Sequence, residues 1–277
     1  MDDKVFNPDD YLKRINHCHV DITEEGLEAL HSAQVYTIPF ENFDILLGRG
    51  ISLEQTAIFN KLVKQRRGGY CFELNGLFLM ALQYFGFDAR PLLARVHVSG
   101  TPMGRGHQIS LVTIKGKHWI ADVGFGSPHL PAPLLLEINH PVTLNNHTFC
   151  LVDAGPFGIM LQILKNDVGQ NIYSFDLGHV CTGDITYGNH FASTHPDSYF
   201  TFSRIAALPV HDGRISLFNL RLKKIIRGRE EVQELTEGQA YLDALKIHFG
   251  IELNVPYEAL PQIQIKNPGH KSLLSRF

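Results

Sequence analysis

The spacing of apolar residues changes character at Gly86, and that break confines the chain to a mixed α+β fold in which helices come first and strands follow. Asn7-Pro8-Asp9 offers a capping residue followed by proline, and Asp21 with Glu24 makes a capping-box-like start for a segment carrying Leu27 and Leu30. Pro39 bars any helix from continuing there. Ser52 with Gln55 starts a second amphipathic helix with Ala57, Ile58, Leu62 and Val63 on one face. It closes at Arg66-Arg67-Gly68-Gly69, where positive charge and glycine suit a helix C-terminus. Between Phe72 and Phe85 nearly every face is apolar, the mark of a helix buried on several sides. After Gly86 the runs are short and rich in β-formers. Strands are expected over 89–98, 107–114 and 117–123, with weaker ones over 142–152, 158–164 and 171–177, which reads as a meander or small barrel. From about Pro196 a helix over 230–249 mixes with strands over 215–220 and 223–226, and a polar tail begins at Pro256.

The 277 residues are 44% hydrophobic, enough for a full core without disulfides and too apolar for disorder. With 25 basic against 28 acidic side chains there is no polycationic surface, so neither nucleic acid nor an anionic membrane is expected as a partner. The longest apolar stretch, 77–87, is broken by Gln83 and Gly86 and falls short of the roughly 18 residues that a membrane helix needs. Met1-Asp2-Asp3-Lys4 lacks the basic start of a secretory signal, so a cytoplasmic location is expected. Cys18, Cys71, Cys150 and Cys181 have no zinc-site or disulfide-framework spacing and are expected as free thiols. The 15 histidines show no HExxH pattern, so no metal is expected.

Cys71 follows Gly68-Gly69-Tyr70, where a glycine turn hands over to a helix. Unpaired N–H groups and the helix dipole favour a thiolate there, an address suited to a nucleophile. Cysteine otherwise packs as a small buried hydrophobe, the role expected of Cys18, Cys150 and Cys181. His107 opens one expected strand and Asp122 ends the next, with Lys115-Gly116 between them as a hairpin turn. A two- or four-residue loop pairs Ile114 with Lys117. Counting outward puts His107 opposite position 124, diagonal to Asp122 on the same face. Diagonal Cβ atoms lie about 7 Å apart, within reach of an imidazole–carboxylate hydrogen bond. A three-residue loop would separate them onto opposite faces. Cys71, His107 and Asp122 thus have the types of a nucleophile, its base and the group that orients the base, and backbone N–H groups at the helix start are placed to receive an oxyanion.

The motifs around these residues resemble the arylamine N-acetyltransferases. The likeness is carried by Ile38-Pro39-Phe40-Glu41-Asn42, by Arg67-Gly68-Gly69-Tyr70-Cys71-Phe72-Glu73-Leu74-Asn75, by Gly106-His107 and by Asp122-Val123-Gly124-Phe125-Gly126, with Phe200-Thr201-Phe202-Ser203-Arg204 as a looser anchor. It implies a cysteine-protease-like Cys-His-Asp core in three parts: a helical bundle (1–86), a β-barrel (87–195) and a C-terminal α/β lid (196–277). It also implies ping-pong chemistry, in which acetyl-coenzyme A acylates Cys71 and an arylamine or arylhydrazine then takes the acetyl group. Phe40, Phe43, Phe125 and Phe202 are candidates for an apolar, water-excluding pocket. The family pattern suggests a Glu41–Arg67 ion pair fixing the loop that carries Cys71. Gly124 and Gly126 are candidates for close approach to the coenzyme, and Lys223 and Lys224 for its phosphates; turns and a solvated basic face are the plainer accounts.

Two other readings use the same residues. A transglutaminase-like or papain-like enzyme would acylate the same thiol from an amide, but such enzymes usually carry tryptophan beside the nucleophile. Here Phe72 follows Cys71 and the one tryptophan is Trp119. An inactive module holding a small ligand has no physical need for all three polar groups.

Overall fold

The structure is a computed structural model that describes residues 5–98, 100–166 and 168–263. Met1–Lys4, and the polar tail beyond residue 263, lie outside the described residues. Helix α1 (Pro8–Arg14) is capped as expected, Asn7 Oδ1 accepting the Asp10 N–H at 3.0 Å. Helix α2 (Glu24–Val35) is capped by Thr23 and not by Asp21: Thr23 Oγ1 accepts the Gly26 N–H at 3.0 Å. Asp21 instead folds its backbone over Gly26, where a Cβ would sit 2.0 Å from the Asp21 carbonyl oxygen. Next come a short strand β1 (Phe40–Glu41), α3 (Phe43–Leu46) and α4 (Gln55–Phe59). Ser52 does not cap α4. Its Oγ accepts the Glu54 N–H at 3.3 Å in a local turn, and α4 then widens into a π-helical turn over Asn60–Lys64. Helix α5 (Cys71–Phe85) ends at Gly86, whose φ of +95° supplies the left-handed stop. The apolar faces of these helices form one cluster, with Leu27, Leu30, Leu62, Leu77 and Phe78 wholly buried.

Strands β2 (Asp88–Val96), β3 (His107–Ile114), β4 (Lys117–Ala121), β5 (Leu134–Leu135), β6 (Val142–Leu144), β7 (His147–Asp153), β8 (Ile159–Lys165) and β9 (Val168–Phe175) make an eight-stranded antiparallel sheet. Its order is β5-β4-β3-β2-β9-β8-β7-β6, and it curls into a nearly closed barrel filled by residues such as Leu92, Ile109, Ile120, Phe149 and Leu161. Helix α6 (Thr182–Thr194) follows, unannounced in the sequence because its Thr, Gly and Ser residues are weak helix formers. The remaining strands, β10 (Ile205–Val210), β11 (Gly213–Phe218), β12 (Arg221–Ile226) and β13 (Arg229–Glu234), form a second sheet backed by α7 (Gln239–Phe249). The helix expected over 230–249 therefore begins only at Gln239. Arg227 and Gly228 both have positive φ and make a two-residue turn that pairs Ile226 with Arg229, so turn geometry overrides the helix propensity of the glutamates that follow.

Strand β1 ties the beginning of the chain to the end. On one side Phe40 and Glu41 pair with Ala207 and Ala206 of β10; on the other, Glu41 N donates to Gly69 O at 2.9 Å and Gly69 N to Pro39 O at 3.2 Å. This approach leaves no room at Gly68, where a Cβ would lie 2.2 Å from the Pro39 carbonyl oxygen. Gly68→Ala is expected to cost about 1–3 kcal/mol of unfolding free energy as the two backbones are pushed apart, measured by urea denaturation.

Candidate active site

Cys71 is the first residue of α5, 5% exposed, and the loop before it is held by a buried ionic network. Arg67 Nε donates to Glu41 Oε1 at 2.8 Å, and a terminal nitrogen lies 3.2 Å from Asp44 Oδ1. Lys61 bridges Asp44 and Glu73, each at 2.8 Å. Glu73 then accepts the Tyr70 N–H at 3.1 Å, so the residue before Cys71 is clamped by a carboxylate that is itself clamped. Burial pushes the Glu73 carboxyl up against the opposing pull of Lys61, while at Arg67 the carboxylates of Glu41 and Asp44 outweigh burial and push the guanidinium up.

The hairpin carrying the other two residues has the register expected from its turn. Lys115 and Gly116 have φ of 49° and 78°, and β3 pairs with β4 from Ile114↔Lys117 out to Ser110↔Ala121. His107 and Asp122 consequently meet: Nε2 to Oδ2 is 2.7 Å, with both residues almost fully buried. The Cys71 side chain is close enough to the His107 ring to help hold its proton, and the sulfur lies 3.8 Å from the Gly106 carbonyl oxygen. Burial disfavours the imidazolium, but Asp122 and Cys71 outweigh it and His107 is pushed up to about 10. Asp122 is held below the usual carboxylate range, burial being overcome by His107, Asn75 and the Gly124 N–H.

Sequence reasoning missed three supporting residues. Asn75 Nδ2 donates to Gln108 O at 2.7 Å and to Asp122 Oδ1 at 3.0 Å, while its Oδ1 accepts the Val123 N–H at 3.0 Å. Its position one turn after Cys71 on the same helix was the available signal. His31 Nε2 accepts the Asp122 N–H at 3.2 Å, and burial holds this imidazole down to about 4, keeping it neutral. Phe200 packs edge-on to Tyr70 at 5.7 Å and lines a cavity of about 420 Å³ that reaches Gly106, the residue whose carbonyl oxygen faces the Cys71 sulfur.

That cavity is walled by Leu93, Val96, Met103, Val180, Phe191 and Phe200; Cys71, His107 and Asp122 do not line it, and its link to the sulfur is Gly106, whose carbonyl oxygen is 3.8 Å from Cys71 Sγ. None of Phe40, Phe43, Phe125 or Phe202 is among its lining residues. Phe43 is wholly buried in the core of the second sheet, because β1 carries it under Leu217 and Tyr241. Phe125 instead covers the His107 ring at 5.0 Å, Phe40 backs Gly126 and Phe200, and Phe202 is buried. Gly124 is small for a packing reason: a Cβ there would meet Asn75 Nδ2 at 2.6 Å and Cys71 Cα at 3.0 Å. Lys223 is paired with Glu230 at 3.2 Å, and as neighbours on one strand Lys223 and Lys224 point to opposite faces, so they do not form one phosphate cradle. All four cysteines are free thiols, yet Cys18 and Cys181 are exposed and only Cys150 takes the buried role expected of the three. Among the described residues no group of His, Cys, Asp or Glu is arranged to hold a metal ion, and no helix is long and apolar enough to cross a membrane.

A family model described as N-acetyltransferase matches residues 23–257. The arylamine N-acetyltransferase / N-hydroxyarylamine O-acetyltransferase of Salmonella typhimurium is 38% identical over 237 residues, 84% of each chain. The chain belongs to the arylamine N-acetyltransferase family. A solved structure of an arylamine N-acetyltransferase from Salmonella typhimurium superposes with a TM-score of 0.85 at 32% identity, covering 97% of this chain and 96% of that one. The Mycobacterium marinum arylamine N-acetyltransferase in complex with CoA superposes with a TM-score of 0.85 at 34% identity, over 92% and 97% of the two chains.

Two outcomes are expected from this geometry. Because Glu41 is wholly buried, Glu41→Gln is expected to destabilise by about 3 kcal/mol, the low end for a broken buried pair since Asp44 still holds Arg67, as read by urea unfolding. His107 binds its proton more tightly folded than unfolded, so its contribution to stability is whole below its ordinary value of 6.5 and is lost as pH rises towards about 10. The stability gap between the native chain and His107→Gln is therefore expected to narrow across that window, and a gap that widens would contradict the assignment.

Proposed function

We propose that this chain moves an acetyl group from acetyl-coenzyme A to an arylamine or arylhydrazine through a thioester on Cys71. The observation that carries the reading is the buried His107–Asp122 pair at 2.7 Å, with Cys71 acting on the same ring to favour its protonated form. In this scheme the resting site holds a Cys71 thiolate beside a His107 imidazolium, and Asp122 fixes the ring and compensates its charge. The thiolate attacks the acetyl carbonyl carbon. The bond from that carbon to the coenzyme sulfur breaks, and the departing thiolate takes the proton from His107. The amine then attacks the thioester carbon, His107 accepts a proton from its nitrogen, and Cys71 leaves as the thiolate. N–H groups at the start of α5 receive the oxyanion in both steps.

The apolar cavity supports the acceptor class. A flat aromatic ring fits walls of Val96, Met103, Phe191 and Phe200, and an aromatic amine is neutral and nucleophilic at neutral pH. Phe125, set across His107, helps keep water from the acyl-enzyme. Mixing the chain with acetyl-coenzyme A in the absence of amine is expected to release free coenzyme A in a single stoichiometric burst and to leave an acetyl adduct in the intact mass. The adduct should vanish in Cys71→Ala and on adding an aromatic amine. A chain that shows no adduct yet still acetylates amines would sink the thioester route.

A further inference from the structure

A second cavity, of about 280 Å³, lies between the β6–β7 hairpin of the barrel and the β10–β11 hairpin of the second sheet, and shares no lining residue with the cavity that reaches Gly106. Its wall collects four basic side chains from three separate segments: His129, His147, His211 and Arg214. The acidic groups nearby are already engaged. Asp212 is held by Arg227 at 3.0 Å and Glu230 by Lys223 at 3.2 Å. Two nitrogens have no such arrangement: Nε of Arg214, a donor, and Nε2 of His129 are buried with no hydrogen-bond partner among the described residues. A fold that brings basic groups together and leaves a buried guanidinium N–H without an acceptor suits a negative partner with several acceptor oxygens.

We infer that this cavity binds a phosphate group, with Arg214 as its main anchor and His129 and His147 as further donors. The planar guanidinium suits a tetrahedral oxyanion, and imidazoles on either side add directional N–H groups. The volume is close to the lower end of the small-ligand range of about 300–1,000 Å³, which leaves space for part of an ester as well as the phosphate. Asn145, anchored by donating to the Tyr36 hydroxyl at 2.8 Å, and the Tyr36 ring stacked on His211 at 4.5 Å give the rim a fixed shape. The inference does not rest on the acetyl-transfer reading.

The electrostatics add a pH signature. His129 is held down to about 3 by burial and then by His147, Arg214 and His31, while His147 is held down by burial and Arg214. Tyr36, His211 and the Arg227-paired Asp212 complete the titratable surroundings of these rings. A bound anion reverses the repulsion and lets the imidazoles take up protons, so affinity rises as pH falls.

The test is calorimetric titration of the full chain with sulfate, which keeps its charge between about pH 6 and 8 and so isolates the protons taken up by the protein. Saturable binding is expected, tighter at the lower pH, weakened about tenfold or more in Arg214→Gln and with a flatter pH dependence in His129→Gln. Should Arg214→Gln fail to fold, His147→Gln carries the expectation of weaker binding. Coenzyme A competing with sulfate would identify the phosphate as the coenzyme's, and failure to compete would identify a separate phosphate ester; either leaves the site in place. Absence of sulfate binding at the lower pH, or equal binding in folded Arg214→Gln, would overturn the inference. Because no acetyl donor or amine is present, that failure is separate from any failure of acetyl transfer.

Discussion

The amide of Asn75 holds together what the candidate site needs to keep close. It projects from the helix that begins with Cys71 and bonds to the backbone at Gln108, to the carboxylate of Asp122 and to the backbone at Val123. One rigid side chain therefore references the hairpin and the segment that follows it to the helix that begins with Cys71. A buried amide satisfied on both its nitrogen and its oxygen is a specific joint, since any shift of helix against hairpin would break several bonds at once in a medium where water cannot replace them. The absence of a side chain at Gly124 allows the joint to close, and the neutral His31 behind Asp122 completes it.

Around that joint the chain buries an unusual amount of charge. Glu41, Arg67 and Glu73 are almost fully buried, and Lys61 spans two carboxylates. Desolvating such groups is costly, and ion pairs in a core often add little net stability over apolar packing. Their value here is positional. Each carboxylate oxygen has an assigned donor, so the turn from Arg67 to Tyr70 has one arrangement that satisfies all of them, and the first N–H groups of α5 are aimed accordingly.

The parts legible in the sequence were those governed by local rules. The Lys115-Gly116 turn sets a hairpin register by itself, so the meeting of His107 with Asp122 followed from counting. Gly68 and Gly69 beside Cys71 signalled the start of α5. What stayed hidden depended on distant partners. Asp21 and Thr23 both offer good helix caps, and only packing over Gly26 selects Thr23. Phe43 resembles a pocket residue until β1 is seen to join β10, more than 150 positions later in the chain, and carry it into another core. The glutamates after Gly228 favour a helix in isolation but are captured by a strand already in place. Lys223 and Lys224 looked like a pair because adjacency in sequence conceals the alternation of a strand.

The two residues of β1 join a short-range contact to a long-range one. They bond on one edge to the loop ahead of Cys71 and on the other to a strand made far later, so the second sheet inherits its first strand from the opposite end of the polypeptide. The loop before Cys71 thus takes its backbone partners from a neighbouring segment, whereas β1 itself gains its second partner only from Ala206 and Ala207. Closing so long a loop is entropically slow, so the edge of the second sheet that rests on β1 costs more to form than the short-range contact that holds the turn before Cys71.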